Sequence, residues 1–171
     1  MPAQAHTAPT SSNGQQIELH DIQNPVVRRV YELWQQLRGS RSFPRREDIT
    51  PRRMPELLRN IALVRVLDGG EEFQIRLVGD AIVQAQGATF HGMTTRQIDL
   101  VLPGYGSALA RLYGDICKNR RPRAYRGWYE RQADKHSFFH ESVLLPLGPD
   151  DRTVDHVLIG AVYARHFNGL H

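Results

Sequence analysis

The sequence predicts an α+β fold, in which a five-stranded antiparallel sheet is covered on one face by helices and preceded by an N-terminal helical cap. Three observations predict it. A helical pattern begins at Asn24-Pro25, two strand-like segments flank the turn Asp68-Gly69-Gly70, and three further strand-like segments follow a helical middle. Because a sheet must bury its apolar side against another layer, the helical middle is expected to cover one face.

Composition and length fit one globular domain with attached segments. The chain has 171 residues, of which 40% are hydrophobic and 23% are charged. Its formal net charge of +4 mildly favours acidic partners and says nothing about the fold. We find no secretory signal and no run approaching the ~18 apolar residues of a membrane span, so a cytoplasmic protein is expected.

The N-terminal third is predicted to contain a tail and a cap. Residues 1–22 are rich in small and polar residues that bury too little apolar area to offset chain entropy, so a flexible tail is expected. Residues 23–60 form the predicted helical cap. Asn24 can cap a helix that starts at Pro25 and ends at Gly39, with apolar residues at helical spacing between them.

Residues 61–166 form the predicted main domain. Ile61 to Leu67 is rich in β-branched residues, and Phe73 to Leu77 alternates apolar and polar residues, which together predict a hairpin. Asp80 can cap a short helix, and a longer helix spans 104–119. The three closing strands are predicted at about Arg123–Glu130, Ser137–Leu145 and Val154–Arg165.

Short segments between Tyr31 and Tyr163 carry a family resemblance. They are Trp34 with Leu37-Arg38-Gly39, Pro44-Arg45, Asp48-Ile49, Phe73 to Gly79, Gly92, Glu141, Leu144 to Leu147, and Val157 to Ala161. In these segments the chain resembles the PAS-domain family, and more narrowly the small single-domain bacterial PAS proteins with an N-terminal helical cap. The resemblance implies a PAS fold and a sensing or protein-interaction role. It implies no particular ligand, because PAS domains bind different cofactors or none.

The cofactors familiar from PAS domains do not fit the residues well, and the cofactor is left unknown. Cys117 lies on the apolar stripe of the long helix and outside an Asn-Cys-Arg motif, so flavin–cysteine photochemistry is not expected. Haem-type PAS domains place their haem ligand in the long helix, and His91 and His140 both lie outside it. On a strand, His136 and His140 would be about 13 Å apart, too far to share one zinc ion, so no metal site is predicted.

A ligand pocket is predicted between the long helix and the sheet. Its predicted wall residues are Tyr113, Ile116, Trp128, His140 and Ser142. Strand alternation does not decide which side chains point inward, because both the even-numbered and the odd-numbered residues of 138–145 are suited to the inner face. The alternative is that these side chains fill the core and leave no pocket.

The first helix carries more apolar residues than a lone exposed helix should. Val27, Val30, Tyr31 and Trp34 either pack on the outer face of the sheet or pair with another subunit. PAS caps often pair, so these four residues are predicted to form the interface of a homodimer.

The sequence therefore predicts a non-enzymatic regulatory module that binds a small molecule or a signalling protein and signals through its cap. Two alternatives stay open. A small enzyme with a cone-like pocket could use Asp99 and His140 as acid and base. A nucleic-acid-binding regulator could use a basic surface. Its candidate residues are Arg45, Arg46, Arg52, Arg53, Arg59, Lys118, Arg120, Arg121 and Arg123.

Overall fold

One antiparallel sheet runs through the protein, for which a computed structural model describes residues 14–131 and 134–165. Within these residues the sheet has six strands in the order β1-β4-β5-β6-β2-β3. They are β1 (Gln15–Ile17), β2 (Ile61–Leu67), β3 (Glu72–Val78), β4 (Arg123–Arg131), β5 (His136–Leu147) and β6 (His156–Arg165). Every pairing is antiparallel. The predicted α+β class is confirmed, with six strands in place of five.

Four α-helices accompany the sheet within the part of the chain that the structure describes. They are α1 (Pro25–Arg38), α2 (Asp80–Gln86), α3 (Thr95–Val101) and α4 (Tyr105–Asn119). Helix α1 begins as predicted, because the Asn24 side chain accepts hydrogen bonds from the backbone N–H groups of Val26 and Val27. It stops at Gly39, whose φ of 59° suits glycine. Among the described residues, no helix combines the length and the apolar character needed to cross a bilayer.

The expectation of a flexible tail through residue 22 is wrong for residues 14–22. Strand β1 pairs with β4, with Ile17 opposite Ala124, and Ile22 is 1% exposed. The sequence signal failed because main-chain hydrogen bonds to an open strand edge do not depend on apolar side chains. Residues 1–13 of the predicted tail lie outside the described residues.

Helices cover both faces of the sheet. Helix α1 packs on the outer face of β5 and β6, where the indole N–H of Trp34 donates a hydrogen bond to the carbonyl of Pro146 at 2.9 Å. Helix α2 and helix α4 cover the inner face, where the even-numbered residues of β5 point. The prediction that helices cover one face is therefore incomplete, since the cap covers the other.

The residues predicted to form a dimer interface are largely used within the chain. Val27, Val30 and Trp34 are 0%, 1% and 4% exposed, and Tyr31 stacks on Trp34 at 6.1 Å between ring centroids. Their assignment to a dimer interface is corrected accordingly, because an intramolecular partner already buries three of them. Of the two alternatives for this apolar stripe, the structure shows packing on the outer face of the sheet.

The cap and the main domain share one hydrophobic core. Phe43, Met54 and Leu57 of the predicted cap are buried in the same cluster as the central residues of β2 and β5. Three short 3-10 helices form this segment, at Arg46–Asp48, Pro51–Arg53 and Pro55–Asn60, and the last of them contains Leu57. The predicted end of the main domain, residue 166, lies outside the described residues.

The closest approach of α1 to the sheet gives a test of this packing. A Cβ atom on Gly160 would lie 2.9 Å from the Cβ atom of the buried Val30. Gly160→Ala is expected to destabilise the fold by roughly 1–3 kcal/mol, because the helix has to move away from the sheet. Urea denaturation measures the change.

Gly114 provides the matched control for this substitution. It lies inside α4, and a Cβ atom there would meet its nearest neighbour, the Gly70 carbonyl oxygen, at 3.8 Å. Gly114→Ala is expected to stabilise the protein by roughly 0.5–1 kcal/mol, since alanine favours helices over glycine. A Gly160→Ala variant as stable as Gly114→Ala would contradict the packing described.

Candidate ligand-binding cavity

A cavity of about 360 Å³ lies between α4 and the inner face of the sheet. This volume falls within the range of small-molecule sites in proteins. The helices contribute Ile82, Gln86, Tyr105, Ala108, Leu109, Leu112 and Tyr113, and the sheet with the residue before β1 contributes Gly14, Ala62, Tyr125, Tyr129, His140, Ser142, Leu144, Ile159, Ala161 and Tyr163. The wall is thus mostly aromatic and aliphatic, with a few uncharged polar groups.

The structure brings three of the five predicted wall residues together. Tyr113 projects from α4, and His140 and Ser142 project from β5 into the same cavity. Ile116 is 0% exposed and belongs to the core without lining the cavity. Trp128 lies on the opposite face of the sheet, 44% exposed and edge-on to Phe139. Its predicted inward orientation is wrong, because Tyr129, its neighbour on β4, takes the inward position.

Five of the six tyrosines in the chain line the cavity, and sequence reasoning identified one of them. They are Tyr105, Tyr113, Tyr125, Tyr129 and Tyr163. Burial raises the pKa of all five, for Tyr129 to about 12. Their phenols are therefore neutral at physiological pH and can donate hydrogen bonds. Two of them could have been found from the sequence, because Tyr125 and Tyr129 are an even number of residues apart on β4 and therefore point to the same face of the sheet.

His140 carries a buried nitrogen that lacks a partner. Its Nε2 atom makes no hydrogen bond within the described residues, and its ring lies 5.9 Å from that of Tyr163. Burial lowers the pKa of His140, so the ring is neutral near pH 7. An unsatisfied buried polar group costs about 1–3 kcal/mol, which a hydrogen bond from a ligand would recover.

The described part of the cavity wall carries no charged side chain. None of the described residues that line it is Asp, Glu, Lys or Arg. An ion entering the cavity would lose its water without gaining a counter-charge, which is strongly unfavourable. The chemistry of the wall therefore suits an uncharged molecule that stacks on aromatic rings and exchanges hydrogen bonds with phenol or imidazole groups.

A buried carboxylate lies between the two cavity residues of β5 but faces the other side of the sheet. Glu141 is 3% exposed, and its carboxylate accepts hydrogen bonds from the backbone N–H groups of Gln23 at 3.0 Å and Asn24 at 2.7 Å. Arg126 donates to the same carboxylate through Nε at 3.0 Å and Nη2 at 2.8 Å. Glu141 thus joins β5 to the N-terminus of α1.

Asp99 and His140, the acid and base of the enzyme alternative, do not lie together in the structure. The Asp99 carboxylate accepts hydrogen bonds from the backbone N–H and the hydroxyl of Ser107, which lower its pKa, and Asp99 does not line the cavity. It is not paired with His140.

Burial raises the pKa of the Cys117 thiol to about 11, so the thiol stays protonated at neutral pH.

The basic residues singled out in the sequence occupy two regions. The five arginines of 45–59 lie on or beside the 3-10 helices of the cap, and the residues of 118–123 lie where α4 leads into β4. Some are already paired, as Arg59 with Asp80 at 3.7 Å and Arg123 with Asp115 at 3.2 Å. Nucleic-acid binding by these residues stays a prediction.

Comparison with known proteins identifies the family. A family model described as a PAS domain matches residues 22–162. The chain belongs to the PAS-domain family, whose members are sensory and regulatory modules, and the resemblance seen in the sequence is confirmed. No curated protein sequence matches the chain.

The chain also aligns with solved structures. One of them is described as an RNA-binding light-oxygen-voltage receptor, and it aligns with a TM-score of 0.44 and 17% sequence identity. The alignment covers 91% of this chain and 39% of the receptor chain, so the chain spans well under half of that protein's length.

The position of His140 predicts how stability responds to pH. Because burial lowers its pKa below the ordinary value of 6.5, the folded protein binds fewer protons than the unfolded chain just below that pH. The stability linked to a neutral His140 is present above pH 6.5 and is lost as the pH falls through the folded pKa. His140→Gln is expected to remove this part of the pH dependence.

Urea denaturation of both proteins at about pH 7.5 and about pH 5.5 measures the effect. The exposed His91 provides the control variant His91→Gln, which makes the same substitution at a residue outside the cavity. Equal loss of stability on acidification in wild type and His140→Gln would show that His140 does not titrate as described.

Proposed function

We propose that this PAS domain is a non-enzymatic sensor that binds an uncharged small molecule in its cavity and relays binding to the cap. One observation carries the proposal. Three consecutive residues of β5 divide their side chains between the two faces of the sheet, His140 and Ser142 toward the cavity and Glu141 toward the start of α1. A shift of β5 next to the ligand would therefore also displace the Glu141 carboxylate that holds the start of α1.

The wall of the cavity indicates the class of ligand. Tyrosine rings and the His140 ring offer stacking surfaces, and their neutral polar atoms offer hydrogen bonds. The Gln86 side chain already makes a hydrogen bond with the Tyr163 hydroxyl. The Nε2 atom of His140 has no hydrogen-bond partner among the described residues, so it is able to bond to a ligand. An aromatic molecule with at least one hydroxyl or amide group satisfies these conditions without bringing a charge.

The contacts of Glu141 provide the route to the cap. Backbone N–H groups at the start of a helix have no intrahelical partner, and here the Glu141 carboxylate supplies one for Gln23 and Asn24. Removing that carboxylate from reach would leave both the amides and Arg126 without their buried acceptor. A ligand that binds better to one position of β5 shifts the population of cap positions by the same free energy.

Several partners remain predictions. A signalling protein could take the place of the small molecule as the input. A homodimer is still expected from the family, and its interface would use a surface other than Val27, Val30 and Trp34, because these are buried within the chain. Binding to nucleic acid would show as affinity that falls steeply with salt.

A neutral aromatic probe tests the cavity. We expect 2-naphthol to bind, and naphthalene-2-sulfonate of similar shape to bind at least about tenfold more weakly, because its charge would be buried without a partner. Isothermal titration calorimetry measures both affinities. Equal binding of the two probes, or binding of neither, would overturn the proposed ligand class.

Two substitutions on β6 separate the cavity from the rest of the sheet. Ala161 lines the cavity, so Ala161→Leu is expected to fill part of it and to abolish 2-naphthol binding. Ala164 is exposed on the other face of the same strand, and Ala164→Leu should leave the affinity unchanged. Circular dichroism confirms that both variants are folded, and loss of affinity in both would argue against this cavity as the binding site.

The relay to the cap is tested by Glu141→Gln. Removing one charge of a buried pair leaves Arg126 unpaired and is expected to destabilise the protein by about 3 kcal/mol. Amide hydrogen exchange should accelerate at Gln23 to Arg28. In the wild-type protein 2-naphthol should alter exchange in this segment, whereas in Glu141→Gln it should bind without doing so.

The more exposed ion pair between Asp115 and Arg123 is the control. Its distance is 3.2 Å, and the Asp115 side chain is 41% exposed, so Asp115→Asn should cost no more than about 1 kcal/mol. Exchange in the cap should not change. If 2-naphthol binds and the cap responds identically in Glu141→Gln, cavity binding stands and the Glu141 relay fails.

A further inference from the structure

A second groove, away from the ligand cavity, combines positive charge with an apolar floor. Its volume is about 440 Å³, and Arg46, Arg65, Arg76 and His156 surround it. We call it the arginine groove. Leu77, 40% exposed, forms part of its floor. The groove lies where the 3-10 helix Arg46–Asp48 of the cap meets strands β2, β3 and β6.

Strand register explains why two arginines meet in one place. Arg65 of β2 lies directly opposite His156 of β6, so their side chains share a face. In the pairing of β2 with β3, Leu63 lies opposite Leu77 and Val64 lies opposite Ile75, which leaves Arg76 as an extra residue. A bulge of this kind redirects a side chain, and here Arg76 joins Leu77 in the groove.

The guanidinium groups of the groove are not neutralised. Among the described residues, the side chains of Arg65 and Arg76 make no hydrogen bond or ion pair. Arg46 donates to the carbonyl of Ile49 at 3.0 Å, which leaves its charge uncompensated. The carboxylate in the wall belongs to Asp155, which contacts the Nδ1 atom of His156 at 3.0 Å, so the groove sets three guanidinium groups against one carboxylate.

Some arginines elsewhere in the structure pair with carboxylates, whereas those of the groove do not. Arg41, Arg126 and Arg131 contact carboxylates at 2.8, 2.8 and 2.5 Å. Three unpaired guanidinium groups around one groove therefore make a concentrated positive surface. Each is able to bind a carboxylate through two parallel hydrogen bonds.

We propose that the arginine groove binds an acidic peptide segment of a partner protein, with an apolar side chain of that segment resting on Leu77. Charge complementarity identifies the acidic groups, and the exposed floor accounts for the apolar one. An RNA strand is disfavoured, because none of the described residues that line the groove is Phe, Tyr or Trp, the large rings on which successive bases could stack. The acidic segment does not extend the sheet at Ile75 of β3, whose backbone already bonds to Gly92 and Met93.

Fluorescence anisotropy with a labelled peptide tests the proposal. The probe has the sequence Glu-Asp-Leu-Glu-Asp-Leu-Glu-Asp, and its neutral counterpart replaces Glu with Gln and Asp with Asn. The full chain is expected to bind the acidic peptide at low salt and the neutral one at least about tenfold more weakly, because the neutral peptide forms no charge-assisted hydrogen bonds.

The variant carrying Arg65→Glu and Arg76→Glu should lose roughly tenfold or more of this affinity, since attraction becomes repulsion. The double variant Arg29→Glu and Arg111→Glu is the matched control, because it makes the same two substitutions and the same change of net charge at exposed residues outside the groove. It should bind like the wild-type protein. Thermal melts establish that both variants are folded.

Three results would overturn the proposal. The first is equal affinity for the acidic and the neutral peptide. The second is equal loss of affinity in the groove variant and in the Arg29→Glu, Arg111→Glu control, which would indicate attraction to net charge alone. The third is a single-stranded RNA that binds more tightly than the peptide and loses its affinity in the groove variant, which would assign the groove to nucleic acid.

Discussion

The central sheet is apolar on both faces, and this constraint determines the rest of the structure. Val143, Leu144 and Leu145 are consecutive on β5, point alternately to opposite faces, and are each at most 2% exposed. Two separate layers must therefore cover the sheet. Helices α2 and α4 cover the inner face and leave a cavity, whereas α1 covers the outer face closely enough to require a glycine at residue 160. The cap is thus part of the domain's own core.

Burial of Glu141 is the costly feature within this arrangement. A carboxylate at 3% exposure has lost nearly all of its water, which is tolerated because two backbone amides and the Arg126 guanidinium replace it. An aliphatic residue would fill the same space without that cost. The carboxylate instead connects the start of α1 to one strand, and this contact is the one on which the proposed relay depends.

The sequence predicted the parts of the fold that local chemistry determines. Asn24, Pro25 and Gly39 define α1 because capping and helix termination act within a few residues. Strand β1 was missed because its pairing depends on the edge of β4, which lies about a hundred residues away. The inward face of the sheet was ambiguous, and Trp128 was misplaced, because both faces are apolar and alternation then carries little information. The partners of Glu141 had no local signal at all.

Strand β1 also changes what counts as the complete domain. The family match begins at residue 22, yet Gly14 borders the cavity, and a Cβ atom there would come within 3.7 Å of the His140 ring. A fragment trimmed to the family boundaries would lose this wall residue of the cavity. It would also uncover the hydrogen-bonding edge of β4, and such open edges favour self-association. Of the eight residues before that boundary, Gly14 therefore borders the cavity and Gln15–Ile17 cover the edge of β4.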